Sequence, residues 1–122
     1  MQRIVADGVG AVVYLRGHEG RGVGLGSKIM AYALQDGGLD TVDANVALGL
    51  PVDDRDFADS AEILLDLGVS TVRLLTNNPA KIASLQANAI SVAARESIVI
   101  APTATTAAYL RTKRDRLGHL TA

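Results

Sequence analysis

A chain of 122 residues with 48% apolar side chains, 20% charged ones and a net charge of −1 can build one core, and it is neither disordered nor strongly basic in composition. That balance gives no electrostatic case for nucleic acid or for an anionic membrane surface, and no apolar run approaches the roughly 18 residues a membrane helix needs. The lack of cysteine removes disulfides and thiolate chemistry, and with His18 and His119 as the only histidines a metal site built from this chain would lean on carboxylates. With no signal-peptide layout at the N-terminus, a cytoplasmic protein is expected.

The first eight residues read as the end of a helix stopped by Asp7-Gly8, followed by a short apolar run, Gly10 to Leu15, expected to be a buried strand. Arg16 to Leu25 then interleaves glycines with Glu19 and Arg21. From Gly24 to about Asp36 the apolar residues Leu25, Ile29, Met30, Ala33 and Leu34 recur at three- and four-residue steps, which predicts an amphipathic helix stopped by Gly37-Gly38. Leu39 to Val52 has no sustained period and is read as a loop, with at most a helical turn at Ala44–Leu48. A helix from Phe57 to Leu67 follows, with Asp56 as N-cap and Gly68 as its end. Thr71 to Thr76 is a strand, and Asn78-Pro79 are the cap and first residue of a helix running to about Asn88. Ile90–Val92 and Ser97–Ile100 are expected as two more short strands, and Thr105–Leu117 as a last helix. Its basic residues, Arg111 to Arg116, read as a solvated face favoured by the helix dipole, and His119 reads as terminal. The order predicts one α/β domain over residues 1–122, a short-stranded sheet with helix crossovers.

Three places carry chemistry. In the opening loop, glycines let backbone N–H groups approach an anion, Arg21 can grip phosphate in two places, and Glu19 can accept from a donor edge such as that of guanine; a loop salt bridge is the alternative. The spacing matches neither the P-loop nor the dinucleotide fingerprint. In Asp53-Asp54-Arg55-Asp56, a carboxylate can act as general base beside Arg55, or the run is simply an acidic helix start. In Leu74 to Lys81, a strand end faces a helix N-terminus, the usual anion position of α/β folds, where Thr76 and Lys81 can both reach; cap chemistry alone explains Asn78 and Pro79 equally well. His18, beside Glu19, can ligate or shuttle protons or merely sit in its loop.

Several blocks in order resemble the GTP cyclohydrolase II family of riboflavin synthesis. They are Gly20 to Leu25 with Lys28-Ile29 and Ala31 to Asp36, Asp40 to Asn45, Asp53 to Phe57, Leu74 to Pro79, Thr112 to Arg114 and Leu117 to His119. The match runs from about Gly8 to Leu120. It implies a zinc- and magnesium-dependent enzyme that opens the imidazole ring of GTP, releasing formate and pyrophosphate and leaving a diaminopyrimidinone ribosyl phosphate. By motif, Glu19, Gly20, Arg21, Thr41, Thr76 and Lys81 would contact GTP. Asp53 would be the proton acceptor, Arg55 would attack the α-phosphate with loss of pyrophosphate, and Tyr32 would lie near the base and serve ring opening. The family's three zinc cysteines lie before the stretch that matches here, together with an Arg and a Gln that bind nucleotide. The expectation is therefore a domain truncated at its N-terminus and impaired as an enzyme on its own, or else an inactive GTP-binding paralogue. The resemblance also implies a homodimer, and in many relatives a preceding dihydroxybutanone phosphate synthase domain.

Overall fold

The computed structural model describes residues 1–120. Its elements are, in order, α1 (Gln2–Asp7), α2 (Leu25–Asp36), α3 (Thr41–Ala47), α4 (Ala58–Asp66), β1 (Thr71–Leu75), α5 (Pro79–Ala87), β2 (Ser91–Glu96) and α6 (Ala107–Leu117). This is the mixed α/β architecture that the sequence pattern implies. The longest helix has 12 residues, and no described helix is long and apolar enough to cross a membrane.

β1 and β2 pair in parallel, so the chain must cross over between them, and α5 is that crossover. Thr71 faces Ser91 and Val72 faces Val92; the register then slips by one residue, so that Arg73 faces Ala94. Local chemistry starts the crossover helix where expected: the Asn78 Oδ1 accepts from the Ala80 N–H at 3.0 Å, and Pro79 takes the first turn, where no N–H is needed. The core lies beneath this unit. Ala61 and Leu64 of α4, Leu85 of α5 and Ile90 close it, with Val13, Val69, Val72, Leu74 and Val92 packed around them.

Four expectations need correction. Gly10–Leu15 is irregular rather than a strand: Val13 reaches the core, but Val12 and Tyr14 face solvent, and an apolar run becomes a strand only where a ladder partner meets it. The stretch read as a loop holds α3, capped by the Asp40 Oδ1 accepting from the Asp43 N–H at 2.8 Å; at under two turns it is too short to show a helical period. The two short strands after α5 are one, β2, and Ser97–Ile100 lies outside it. There the Asn77 side-chain amide donates to the Ile98 carbonyl and accepts from the Ile98 N–H at 2.9 Å, so a side chain satisfies the groups a neighbouring strand would otherwise take. Finally, α4 begins at Ala58, and Asp56 caps it from one residue further out, its Oδ1 accepting from the Ala58 N–H at 2.8 Å.

The last helix is tied into the molecule rather than simply solvated. Arg116 bridges to Asp40 at 2.7 Å and Asp43 at 3.1 Å, which fastens α6 to the start of α3. Beyond Gly118, which ends the helix in the left-handed region, the Leu120 N–H donates to the Asn77 carbonyl at 2.9 Å.

Candidate functional site

The opening loop is shaped by positive φ angles at Gly17, Gly20, Arg21, Gly22 and Gly24. Such angles cost glycine little, while Arg21, at φ 59°, holds a conformation side-chain-bearing residues rarely adopt. The surroundings compensate: the Gly22 and Gly24 N–H groups both donate to the Glu19 carbonyl, and the Asp54 N–H donates to the Arg21 carbonyl at 2.8 Å. That last bond joins the loop to the acidic cluster, so two stretches that look separate in sequence are one structure. Gly22 is required at the junction, because a Cβ there would sit 2.8 Å from the Asp54 backbone carbon and oxygen.

Within the acidic cluster, the Asp53 carboxylate grips the Arg55 guanidinium in two places, one of them an Nε–H bond of 2.8 Å, and its Oδ1 also accepts from the Arg55 backbone N–H at 3.1 Å. Burial alone would push the Asp53 carboxyl up, but these bonds and the charges of Arg55 and Arg21 outweigh it and hold the carboxyl below its ordinary range. The same pairing pushes the Arg55 guanidinium further up, against its own burial. This is a charged fork, held ready.

Phe57, the next residue but one, is a buried hub. The Arg55 guanidinium lies 5.3 Å from its ring centroid, the Lys81 ammonium of α5 lies 5.4 Å from it, and the His18 ring meets it edge-on at 5.5 Å. Lys81 is depressed by burial and by the nearby positive charges of Arg55 and Lys113, with Asp53 only partly offsetting them. His119 is depressed in the same way, by burial and then by Lys113, Arg55 and Arg21. Tyr109 of α6 is also lowered: its burial acts upward, but hydrogen bonding and charge from Lys113, with Arg21 and Arg55 behind, prevail. Arg21, Arg55, Lys81, Lys113 and His119 therefore share one electrostatic neighbourhood, in which Asp53 is already spent on Arg55. Such a place attracts an anion of several charges.

Beside this cluster opens a cleft of about 590 Å³, a size that accommodates a nucleotide. Glu19, Gly20, Arg21, Tyr32, Thr41 and Arg55 line it, which unites six of the nine residues singled out in the sequence. Asp53 stands behind Arg55, and Lys81 enters the cluster through Phe57. Thr76 is buried at the end of β1, where its Oγ1 accepts from the Asn78 N–H at 3.1 Å, and is not among the cleft-lining residues. The sequence reading missed Phe57 as a hub, Asn45, which lines the cleft while its Nδ2 donates to the Pro51 carbonyl, and the whole contribution of α6. Tyr109 lines the cleft, Lys113 lies over its ring at 4.4 Å, and His119 sits in their field, so neither Lys113 nor His119 is a mere surface group. The available signal was the four-residue step from Tyr109 to Lys113, which stacks the two side chains on one helix face.

The family model described as GTP cyclohydrolase II matches residues 1–97. The chain belongs to the GTP cyclohydrolase II family. It is 58% identical over 118 residues to a protein of Streptomyces coelicolor named GTP cyclohydrolase-2, which covers 96% of this chain and 53% of that one. It is 55% identical over 120 residues to riboflavin biosynthesis protein RibBA of Salinispora arenicola, covering 98% of this chain and 29% of the relative. A bifunctional riboflavin biosynthesis protein, RIBA 1, of Arabidopsis thaliana is 52% identical over 120 residues, 98% of this chain and 22% of its own length. The chain thus spans about half or less of the length of these relatives.

As a member of the GTP cyclohydrolase II family the chain invites comparison with the zinc chemistry the resemblance implies. The donors do not fit: there is no cysteine, and among the described residues no group of three or more His, Asp and Glu side chains converges on a point. His18 is packed edge-on against Phe57, and His119 sits among cations, an arrangement that opposes a further positive ion.

Proposed function

We propose that this chain binds GTP in the cleft between the glycine loop, α2 and α6, as the nucleotide-holding part of a GTP cyclohydrolase II of riboflavin biosynthesis. The observation that carries this is that Arg21 and Arg55 line a nucleotide-sized cleft, with Lys81 held over the Phe57 ring and Lys113 over the Tyr109 ring beside it. In this reading the triphosphate meets Arg21 and Lys81, with Gly20 and Thr41 as further GTP contacts, and Glu19 accepts from the guanine N–H edge. Thr76, buried and bonded to the Asn78 N–H, would support the β1 end beside Lys81 rather than line the cleft. Glu19 is the one carboxylate among the residues lining the cleft and is assigned to the base, so a magnesium ion would be carried by the triphosphate oxygens rather than by a carboxylate of this lining. Tyr32, half-exposed with the Lys28 ammonium 5.7 Å from its ring, is the residue proposed beside the base.

Asp53 and Arg55 are proposed as proton acceptor and nucleophile toward the α-phosphate, with pyrophosphate leaving. Their geometry sets a condition on this step. Arg55 is held protonated and Asp53 ionised, and both shifts oppose proton transfer between them. The proton can therefore pass to the adjacent Asp53 carboxylate only as the Arg55 nitrogen bonds to the α-phosphorus and the bond to the leaving pyrophosphate breaks. A second reading, a GTP-binding chain that does not open the imidazole ring by itself, is favoured by the lack of a zinc donor set among the described residues.

The test is to incubate the purified chain with GTP, Mg²⁺ and Zn²⁺ and to follow formate, pyrophosphate and the pyrimidinone separately. Pyrophosphate without formate is the expected result, and its loss in Asp53→Asn and Arg55→Lys would assign that half-reaction to the pair. Binding without any product would favour the second reading, and the absence of binding would sink both.

A further inference from the structure

The family model's match ends at residue 97, while the relatives align through α6, and α6 with the residues before it helps line the candidate site. Thr105, Thr106 and Tyr109 line the same cleft as Arg21 and Arg55. One turn further along the same face, the Lys113 ammonium lies 4.4 Å from the Tyr109 ring centroid. No ion pair of the described residues takes up Lys113: Arg114, its neighbour, is paired with Asp115 at 2.6 Å, and Arg116 with Asp40 and Asp43. Lys113 is partly buried, and its charge is felt at Lys81 and His119.

A lysine placed among like charges raises the energy of the empty site, and a structure gains from that placement only when an anion arrives. A ring beneath the ammonium limits where it can swing, so that less freedom is lost when an anion is gripped. We propose that Tyr109 and Lys113 form a second phosphate-binding wall of the GTP site, with Lys113 contacting the polyphosphate and Tyr109 holding Lys113 in place. This deepens the GTP reading and rests on it for the identity of the nucleoside, while the polyphosphate contact stands on the α6 geometry. Lys113 is the ligand-touching residue, and Tyr109 acts through it.

The experiment is a set of calorimetric titrations of the intact chain with GTP, inorganic triphosphate and guanosine. Lys113→Met is expected to weaken GTP and triphosphate by roughly tenfold or more, the scale of one charge-assisted hydrogen bond, and to leave guanosine unchanged. Lys113→Arg should restore most of the loss, which a merely structural role would not require. Tyr109→Leu should weaken triphosphate less than Lys113→Met and lose its effect in the Lys113→Met background. Arg114→Ala, which removes a cation of the same helix on its solvent side, should change neither. Thermal melts identify any variant that fails to fold, and Lys113→Arg keeps the question open to test if Lys113→Met does so. Equal triphosphate affinity in wild type and a folded Lys113→Met would overturn the proposal. Triphosphate binding that depends on Lys113 but gains nothing from guanosine would instead sustain the proposal and overturn the GTP reading. Failure of the wild type to bind triphosphate would end both.

Discussion

The β1–α5–β2 unit with α4 and the cleft region of loop, α2, α3 and α6 are held together by different means. In the first, Leu64, Leu85 and Ile90 are buried against one another, and stability follows from apolar area removed from water. In the second, apart from Phe57 under the charged cluster, the buried apolar residues are small, Ala31, Val42 and Ala44, while Ile29, Met30 and Tyr32 of α2 remain more than half exposed. What fixes the cleft is backbone bonding around the glycine loop, the Asp53–Arg55 fork and the Arg116 bridges. The difference teaches that this molecule separates the source of its stability from the source of its charge arrangement. A change in one region should therefore show in a different observable from a change in the other.

The strongest way to break that contrast is at its apolar pole. Ile90 is 1% exposed and fills the centre of the core, so Ile90→Ala removes buried methyl groups and leaves a cavity. The expected loss is about 2–5 kcal/mol, read as a lower urea midpoint with the unfolding slope unchanged. GTP affinity measured where the variant is still folded should stay near wild type. A fall in affinity without a fall in stability would refute the separation.

Gly22→Ala attacks the other pole. The new Cβ meets the Asp54 backbone at 2.8 Å in a residue with φ 88°, and neither neighbour is a flexible side-chain end that can yield. The cost is on the order of 1–3 kcal/mol and is local, since the loop can detach from the Asp53–Asp56 stretch without opening the core. The expected signature is a large loss of GTP binding with only a modest shift in melting. An unchanged affinity would mean that the joined loops do not build the site.

How much of this was legible beforehand depended on the range of the chemistry. Asn78-Pro79 announced α5 because a cap and a first-turn proline act within three residues, and the glycine loop was visible as a run of residues tolerant of positive φ. That Glu19, Arg21, Tyr32, Thr41 and Arg55 line one cleft was suggested by the family blocks. No periodicity could have brought them together, since the joining bond spans Arg21 to Asp54. α3 was lost to its brevity. The run at Gly10–Leu15 looks like a strand in sequence because hydrophobicity reports burial but not whether a strand partner is present. Lys113 and His119 look solvated and terminal in sequence because a helical pattern tells which residues share a face, and nothing about what that face meets.

A smaller effect sharpens the electrostatic side of the comparison. Asp53 is held below the ordinary carboxylate range although its burial acts the other way, chiefly by bonds from Arg55. A depressed folded-state pKa contributes stability that is fully present above the unfolded value of about 3.9 and is lost as pH falls through the lower folded value. Wild-type stability should thus decline on acidification below roughly pH 4, and Asp53→Asn should flatten part of that decline. Chemical denaturation at a series of pH values measures it. An Asp53→Asn profile parallel to wild type would mean that the Asp53–Arg55 fork contributes nothing to folding.

The smallest effect expected is at Arg116, whose bridges to Asp40 and Asp43 lie on the surface. Exposed pairs of this kind contribute little to folding and are screened by salt, so Arg116→Ala should leave the melting temperature almost where it is. Its consequence belongs to the cleft. These bridges fasten α6 to the start of α3, and α6 carries Tyr109 to the cleft wall while Thr41, the first residue of α3, lines the same cleft. Loosening that tie should raise the GTP dissociation constant at low ionic strength and converge on wild type as salt rises, because salt weakens the bridges in the wild type as well. A loss of affinity that persists undiminished at high salt would show that Arg116 acts by packing rather than by charge, and α6 would then have to be counted with the apolar half of the molecule.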